Sequence, residues 1–232
     1  MPELLLNEDT RWELTRTLFE ENIFGIHQES EDFITVKSER SSPHYLNVRD
    51  AVTSHTLRNK IASSLISLTN AKSETSEVAG DYYVAGAPEA MTSFVTTIAD
   101  LTTWDLLQPR ANLQKTNGNK SPILGRYASG GHVFVYDDVI TDGKTKIDTI
   151  SQIESCGLEV ANYFVVLDRQ EGGVPLVEKE TGHTIIPALA VAGMTRMLRG
   201  EGMITSRQFD NVAAYIYQYG EPGALEELGL LF

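Results

Sequence analysis

The chain has 232 residues, 41% hydrophobic and 22% charged, enough for one globular α/β domain with a sizeable apolar core and too apolar for a disordered chain. Lys and Arg total 19 against 32 Asp and Glu, a formal charge of −13, so the average surface field repels nucleic acid, while a small anion can still enter a locally basic pocket. The single cysteine, Cys156, excludes an intramolecular disulfide, fits a reducing compartment and reads as a small core side chain.

Met1 to Leu6 lead directly to the acids Glu8 and Asp9, unlike the basic start and apolar stretch of a signal peptide, and no apolar run approaches the roughly 18 residues that span a bilayer. The expectation is a cytoplasmic protein without a membrane partner. Asp9 or Thr10 is placed to cap a first helix in which Trp12, Leu14, Leu18 and Phe19 recur at helical spacing, ending before Gly25. Phe33 to Val36 and Tyr45 to Val48 read as short strands around a polar turn, Ser38 to Pro43. Leu57, Ile61, Leu65 and Leu68 form the apolar stripe of a helix after Asp50.

From Tyr82 the pattern becomes strand, turn, helix. Tyr82 to Ala85 is a buried strand, Gly86 to Pro88 a turn and Met91 to Leu101 a helix. His132 to Tyr136 then reads as a strand, Asp137 to Thr145 as a loop, Ile147 to Ser155 as a helix and Ala161 to Leu167 as a further strand. Such alternation implies a parallel sheet flanked by helices, whose ligands bind at the carboxyl ends of the strands. Gln108 to Gly131 carries Asn, Gly, Lys and Ser without apolar periodicity, as a functional loop or lid does. Thr205 to Phe232 reads as a closing helix with Phe209, Val212, Tyr215 and Ile216 inward.

The strongest chemical signal is His132-Val-Phe-Val-Tyr-Asp-Asp-Val-Ile-Thr-Asp-Gly-Lys-Thr145. Backbone N–H groups around Gly143, at a helix start, face an anion there; Thr141 and Thr145 offer hydroxyls and Lys144 a compact positive charge. Asp142 lies inside the same loop. Asp137 and Asp138 are suited to accept hydrogen bonds from the vicinal hydroxyls of a sugar. Strand, acids and loop together describe a phosphorylated ribose; the bland alternative is a strand end whose acids cap the next helix.

This segment resembles the phosphoribosyl diphosphate motif of the type I phosphoribosyltransferases. Phe33 to Arg49 is similar to the stretch of orotate phosphoribosyltransferases in which a Lys-Ser-Gly-Arg element runs into Ser-Pro and an aromatic, with Glu39 in place of the glycine. Leu167-Asp-Arg-Gln-Glu-Gly-Gly173 resembles that family's turn whose arginine contacts orotate, and Arg169 is the matching residue. Gly86-Ala-Pro88 resembles the family's turn against the diphosphate.

The resemblance implies an α/β fold, a parallel sheet flanked by helices with a small hood, in one domain spanning 1–232. The hood takes about 1–50 and parts of 170–232, and the core about 51–170. It implies a homodimeric enzyme that makes orotidine 5′-phosphate and diphosphate from orotate and phosphoribosyl diphosphate. Mg²⁺ is held through substrate and water rather than by protein ligands, and a decarboxylase is a potential partner. Orotate is assigned to Lys37, Tyr45, Thr141 and Arg169. The phosphoribosyl group is assigned to Asp137, Asp138 and the loop Thr141, Asp142, Gly143, Lys144 and Thr145, and the diphosphate to Gly86, Ala87 and Pro88.

The family's catalytic loop reads Arg-Lys-x-x-Lys-x-His/Tyr-Gly, whereas this chain reads Arg110-Ala-Asn-Leu-Gln-Lys-Thr-Asn-Gly118. Arg110 matches, Ala111 lacks the lysine, and the catalytic lysine has become Gln114 or moved to Lys115. Two other readings therefore stay open: a non-catalytic relative that senses the phosphoribosyl ligand, and a transferase for another base.

Overall fold

The computed structural model describes residues 6–36, 39–73, 81–111 and 121–230. Helix α1 (Glu8–Glu20) is capped by Asn7, which accepts from the Thr10 N–H at 2.8 Å. The cap thus precedes Asp9 and Thr10, which leaves Glu8 and Asp9 in the first turn, where negative charge meets the positive end of the helix dipole. Strand β1 (Phe24–Ile26) follows, then β2 (Ile34–Thr35), β3 (Ser41–Ser42) and β4 (His44–Leu46). β1 pairs antiparallel with β4, Gly25 opposite Tyr45, and β2 pairs antiparallel with β3. A 3-10 turn over Val48–Thr53 leads into α2 (His55–Ser73).

The remaining elements are β5 (Tyr82–Gly86), α3 (Thr92–Leu101), β6 (Asp105–Pro109), β7 (Ile123–Leu124), β8 (His132–Ile140), α4 (Lys144–Glu154), β9 (Glu159–Asp168), α5 (Gly173–Thr181), β10 (Ile185–Ala190), α6 (Val191–Gly200), α7 (Ser206–Tyr219) and α8 (Ala224–Leu228). Six strands form the main sheet in the order β10-β9-β8-β5-β6-β7, parallel except for the β6–β7 pair. From β5 the chain steps to one side for β6, then returns past β5 to build β8, β9 and β10 on the other. That reversal makes the gap between the ends of β5 and β8 the switch point where such sheets open a ligand crevice.

Alternation along the strands divides the core. Phe134, Tyr136, Phe164 and Val166 face a cluster that takes in α1, α2, α3 and α6, while Val133, Val135, Tyr163 and Val165 face α4 and α5. Each such side chain, fully buried, contributes about 1.5–3 kcal/mol. The buried Tyr136 hydroxyl is 2.9 Å from Thr69 Oγ1 on α2, so the polar end of a large core side chain is satisfied.

One expectation about β8 needs correction. The strand does not stop at Tyr136 but continues to Ile140, paired with β9 as far as Ile140 opposite Asp168. Val139 and Ile140 are β-branched and extend the ladder, so Asp137 and Asp138 belong to the strand and not to the loop.

At the other end of the chain, Thr205 and Gln208 form a capping box for α7. Gln208 Nε2 donates to Ile26 O at 2.6 Å, and Asn211 Nδ2 to Gln28 O at 2.9 Å. The β1–β4 ribbon and α7 are thereby stitched together beside the carboxyl edge of the sheet.

Candidate active site at the carboxyl edge of the sheet

Gly86 ends β5 and packs against the start of α3. A Cβ there would stand 3.0 Å from both Met91 Cβ and Val95 Cγ2, so glycine lets the turn and the helix meet. The Ala87 N–H donates to Tyr136 O at 2.8 Å, fixing the Gly86 to Pro88 turn beside the last residues of β8. Glu89 is exposed, with φ 67°.

β8 runs through both acids, but its alternation slips here: Val139 packs on the side of Phe134 and Tyr136, Ile140 on the side of Val133 and Val135, and the two carboxyls stay close enough to share a hydrogen bond. Asp137 is buried among charged and polar partners: Lys146 Nζ lies 2.5 Å from its Oδ2, and Tyr163 OH donates to the same oxygen at 3.1 Å. Burial, followed by the Asp137 charge, pushes the Tyr163 hydroxyl well above its ordinary pKa, so it stays a donor. Asp138 has no ion pair among the described residues; its Oδ1 accepts the Val139 N–H at 2.7 Å, and its carboxyl shares a hydrogen bond with that of Asp137. Burial and the neighbouring Asp137 push its carboxyl up to about 6. Lys146 was not singled out from the sequence, although it stands at the head of the buried α4 stripe that continues through Thr149, Ile150 and Ile153.

Thr141 to Thr145 turns into α4 through Gly143, whose φ is 75° and whose missing side chain leaves room for Val177 and Gly173 O. On the other side, a Cβ on Gly173 would collide with Thr141 O. The two glycines clamp the loop onto the start of α5. Lys146 and Ile147 donate back to Gly143 O at 3.0 and 3.2 Å, so the N–H groups before them belong to the first turn of a helix N-terminus and have no partner within the helix. Asp142 accepts the Lys144 N–H at 3.3 Å, and its other oxygen lies 3.7 Å from Lys144 Nζ.

Arg169 follows β9, and its N–H donates to Ile140 O at 3.1 Å, which sets it next to the loop. Its buried guanidinium donates to Glu171 Oε1 at 2.8 Å, to Ser42 Oγ at 3.0 Å and to Tyr215 OH at 3.3 Å. His44 is 1% exposed and edge-on to Tyr215 at 5.2 Å, and neither ring nitrogen has a partner among the described residues. Burial, then the Arg169 charge, holds it well below the usual histidine range, so it is neutral. Tyr45 takes the opposite face of β4: its ring covers Gly25 and tilts against His27 at 5.4 Å. Alternation in β4 therefore brings His44, and not Tyr45, beside Arg169.

Arg110 anchors the base of the following loop, its Nε donating to Ser121 O at 3.1 Å. Lys37, Gln114 and Lys115 lie outside the described residues.

No protein-family model matches the sequence. An orotate phosphoribosyltransferase from Saccharophagus degradans is 30% identical over 193 residues, which cover 80% of this chain and 88% of the relative. The chain belongs to the orotate phosphoribosyltransferase family.

A UMP synthase from Leishmania donovani superposes with a TM-score of 0.75 at 26% identity, over 90% of this chain and 42% of the other. An orotate phosphoribosyltransferase from Mycobacterium tuberculosis superposes with a TM-score of 0.61 at 22% identity, over 80% of this chain and 98% of the other, a likeness of fold. The α/β architecture, a mostly parallel sheet flanked by helices, is that of the phosphoribosyltransferases.

Membership in the family explains one local oddity. Glu39, at the position of the family's glycine, has φ 60°. Glycine adopts that region freely, whereas a side chain there is strained. Besides Asn22, the described non-glycine residues with positive φ are Glu39 and Gln170, each within a segment that resembles a family motif, and Glu89, directly after a third. Strained backbone collects where function constrains it.

Proposed function

We propose that the chain joins orotate to phosphoribosyl diphosphate, forming orotidine 5′-phosphate and diphosphate. The observation that carries this reading is the switch point, where the Gly86–Ala87–Pro88 turn, Asp138, the Thr141–Thr145 loop and Arg169 adjoin one another at the ends of β5, β8 and β9. In this reading the N–H groups of Gly143 and Thr145 and the hydroxyls of Thr141 and Thr145 receive the 5-phosphate, with Lys144 as counter-charge. Asp138 accepts from the ribose hydroxyls, while Asp137, tied to Lys146 and Tyr163, holds the strand end in place. The turn at Gly86 receives the diphosphate.

The orotate ring nitrogen forms its bond to the anomeric carbon as the bond to diphosphate oxygen breaks, through an oxocarbenium-like state. The protein supplies positioning, charge neutralisation and exclusion of water, and no protein nucleophile is needed. Arg169 is assigned to orotate, together with Lys37; Tyr45 has the weaker claim, given its position on the far face of β4. Arg110 and Lys115 are assigned to the diphosphate.

Magnesium fits this site as a companion of the diphosphate, beside Asp138, a carboxylate without an ion pair among the described residues. When bound, it neutralises diphosphate charge. We read the β1–β4 ribbon and α7 as a hood over a core of about 51–170, and the assembly as a homodimer in the cytoplasm. No described helix is long and apolar enough to cross a membrane. The UMP synthase likeness makes a decarboxylase a reasonable partner.

The test is orotate consumption, followed by ultraviolet absorbance, with phosphoribosyl diphosphate and Mg²⁺. Turnover by the native chain and a large fall in Asp138→Asn are expected. Tight binding of phosphoribosyl diphosphate without diphosphate release would leave a sensor in place of the enzyme, and turnover with adenine or uracil but not orotate would reassign the base.

A further inference from the structure

Two guanidiniums converge on one buried carboxylate near the end of β9. Glu171, its side chain 4% exposed, accepts from Arg169 Nε at 2.8 Å on one oxygen and from Arg40 Nη1 at 3.3 Å on the other. Tyr215 OH donates to the first oxygen at 3.1 Å while receiving Arg169 Nη2 at 3.3 Å. Arg40 also lies 4.6 Å over the ring of Tyr219, one helical turn beyond Tyr215 on α7. The β2–β3 turn, the segment after β9 and the last turns of α7 therefore meet at a single carboxylate.

At Glu171 two guanidiniums meet one carboxylate, while Asp168, Glu221 and Glu227 lie near enough to Glu171 and to one another to interact. The hydrogen bonds among the described residues use Arg169 Nε and Nη2 and Arg40 Nη1, so Arg169 Nη1 and Arg40 Nη2 are uncommitted. A planar guanidinium suits a carboxylate, and the Tyr219 ring face attracts the Arg40 cation 4.6 Å above it. Without Glu171 between them the two cations would repel. His44, buried and neutral beside Arg169, adds no charge of its own.

We propose that Arg40 and Arg169 act as a guanidinium pair on the ring carboxylate of orotate, with Glu171 and Tyr215 as the residues that position them. The inference rests on the transferase reading above and adds to it a specificity-determining residue, Arg40, and a role for α7. A base without a carboxylate gains nothing from the pair.

The experiment compares native chain, Arg40→Ala, Arg40→Lys and Tyr215→Phe in steady-state kinetics, varying each substrate in turn, alongside direct orotate and uracil binding by calorimetry. Loss of a charge-assisted hydrogen bond corresponds to about tenfold or more in affinity, so Arg40→Ala is expected to raise the KM for orotate by about that factor. The KM for phosphoribosyl diphosphate and the weak uracil affinity should stay within about twofold, since the pair addresses only the carboxylate. Arg40→Lys should recover part of the loss and Tyr215→Phe show a smaller orotate-selective rise.

An unchanged orotate KM in Arg40→Ala, or an equal rise for both substrates, overturns the inference while leaving the transferase intact. Orotate binding that Arg40→Ala weakens selectively, in a native chain that does not turn over, supports the pair and removes the transferase. No orotate binding by the native chain removes both.

Discussion

Lys146 and Asp137 form an ion pair 2.5 Å apart, with both side chains 6% exposed, beneath the loop that opens α4. A cation in the first turn of a helix opposes the helix dipole, so its presence there depends on the aspartate. Removing one member leaves the other charged and buried. Lys146→Met is expected to cost on the order of 3 kcal/mol in chemical denaturation, and the double variant Lys146→Met, Asp137→Asn to recover much of it. Additive losses in the double-mutant cycle would count against the pairing.

Asp138 carries the pH dependence. Burial and Asp137 raise its carboxyl to about 6, so the carboxylate that would accept from ribose is lost as pH falls through that value. The kcat/KM for phosphoribosyl diphosphate should fall on the acid side with a midpoint near 6, and Asp138→Asn should lower the plateau and abolish that limb. A flat profile down to about pH 5 in the native enzyme would separate Asp138 from ribose binding.

Asp168 sets a different dependence, on stability. Burial is the main cause of a carboxyl raised to about 7; Glu221, Glu227 and Glu171 add to it, against the Gln170 N–H at 2.7 Å. A raised folded value means that the stabilisation is present below about pH 4 and lost as pH rises through 7. Asp168→Asn keeps the acceptor for Gln170 and removes the charge. It should be more stable than the native chain at about pH 8, on the order of 1–3 kcal/mol, with the difference gone near pH 4. Thermal melts across that range decide it.

Asp142 places a negative charge in the loop assigned to the phosphate and contacts Lys144 on both backbone and side chain. Asp142→Ala should tighten phosphoribosyl diphosphate about threefold or more at low ionic strength, the gain shrinking in salt. Isothermal titration at two salt concentrations reads both effects.

Glu39 at φ 60° gives up about 1 kcal/mol of strain when replaced by glycine and returns a similar amount through unfolded-chain entropy. Glu39→Gly should therefore leave the melting temperature nearly unchanged, whereas the β-branched Glu39→Val should lower it.

The parallel sheet was legible because β5, β8 and β9 are runs of apolar, β-branched residues, and α2 and α7 because their apolar stripes recur at helical spacing. The phosphate loop was legible for the same local reason: strand, acids, glycine and helix follow one another within fourteen residues of sequence, 132–145. β1 and β3, of three and two residues, are too short to show a period. The roles of neighbouring residues were harder. Which of His44 and Tyr45 meets Arg169 depends on strand phase, and which of Asp137 and Asp138 is paired depends on Lys146 and Tyr163, which reach Asp137 from α4 and β9. Arg40, Glu171 and Tyr215 are separated by up to 175 positions, and only the packing of α7 joins them.

The stitching of α7 to the β1–β4 ribbon gives the two halves of the site different histories during synthesis. Everything assigned to phosphate, from Gly86 to Thr145, lies within a contiguous stretch that can assemble as soon as β9 and α5, which clamp its loop, have emerged. The cluster around Arg169 waits for Tyr215 and Tyr219. A growing chain would thus hold a place for the sugar phosphate well before it could discriminate among bases, and the most selective part of the site would be the last to fold.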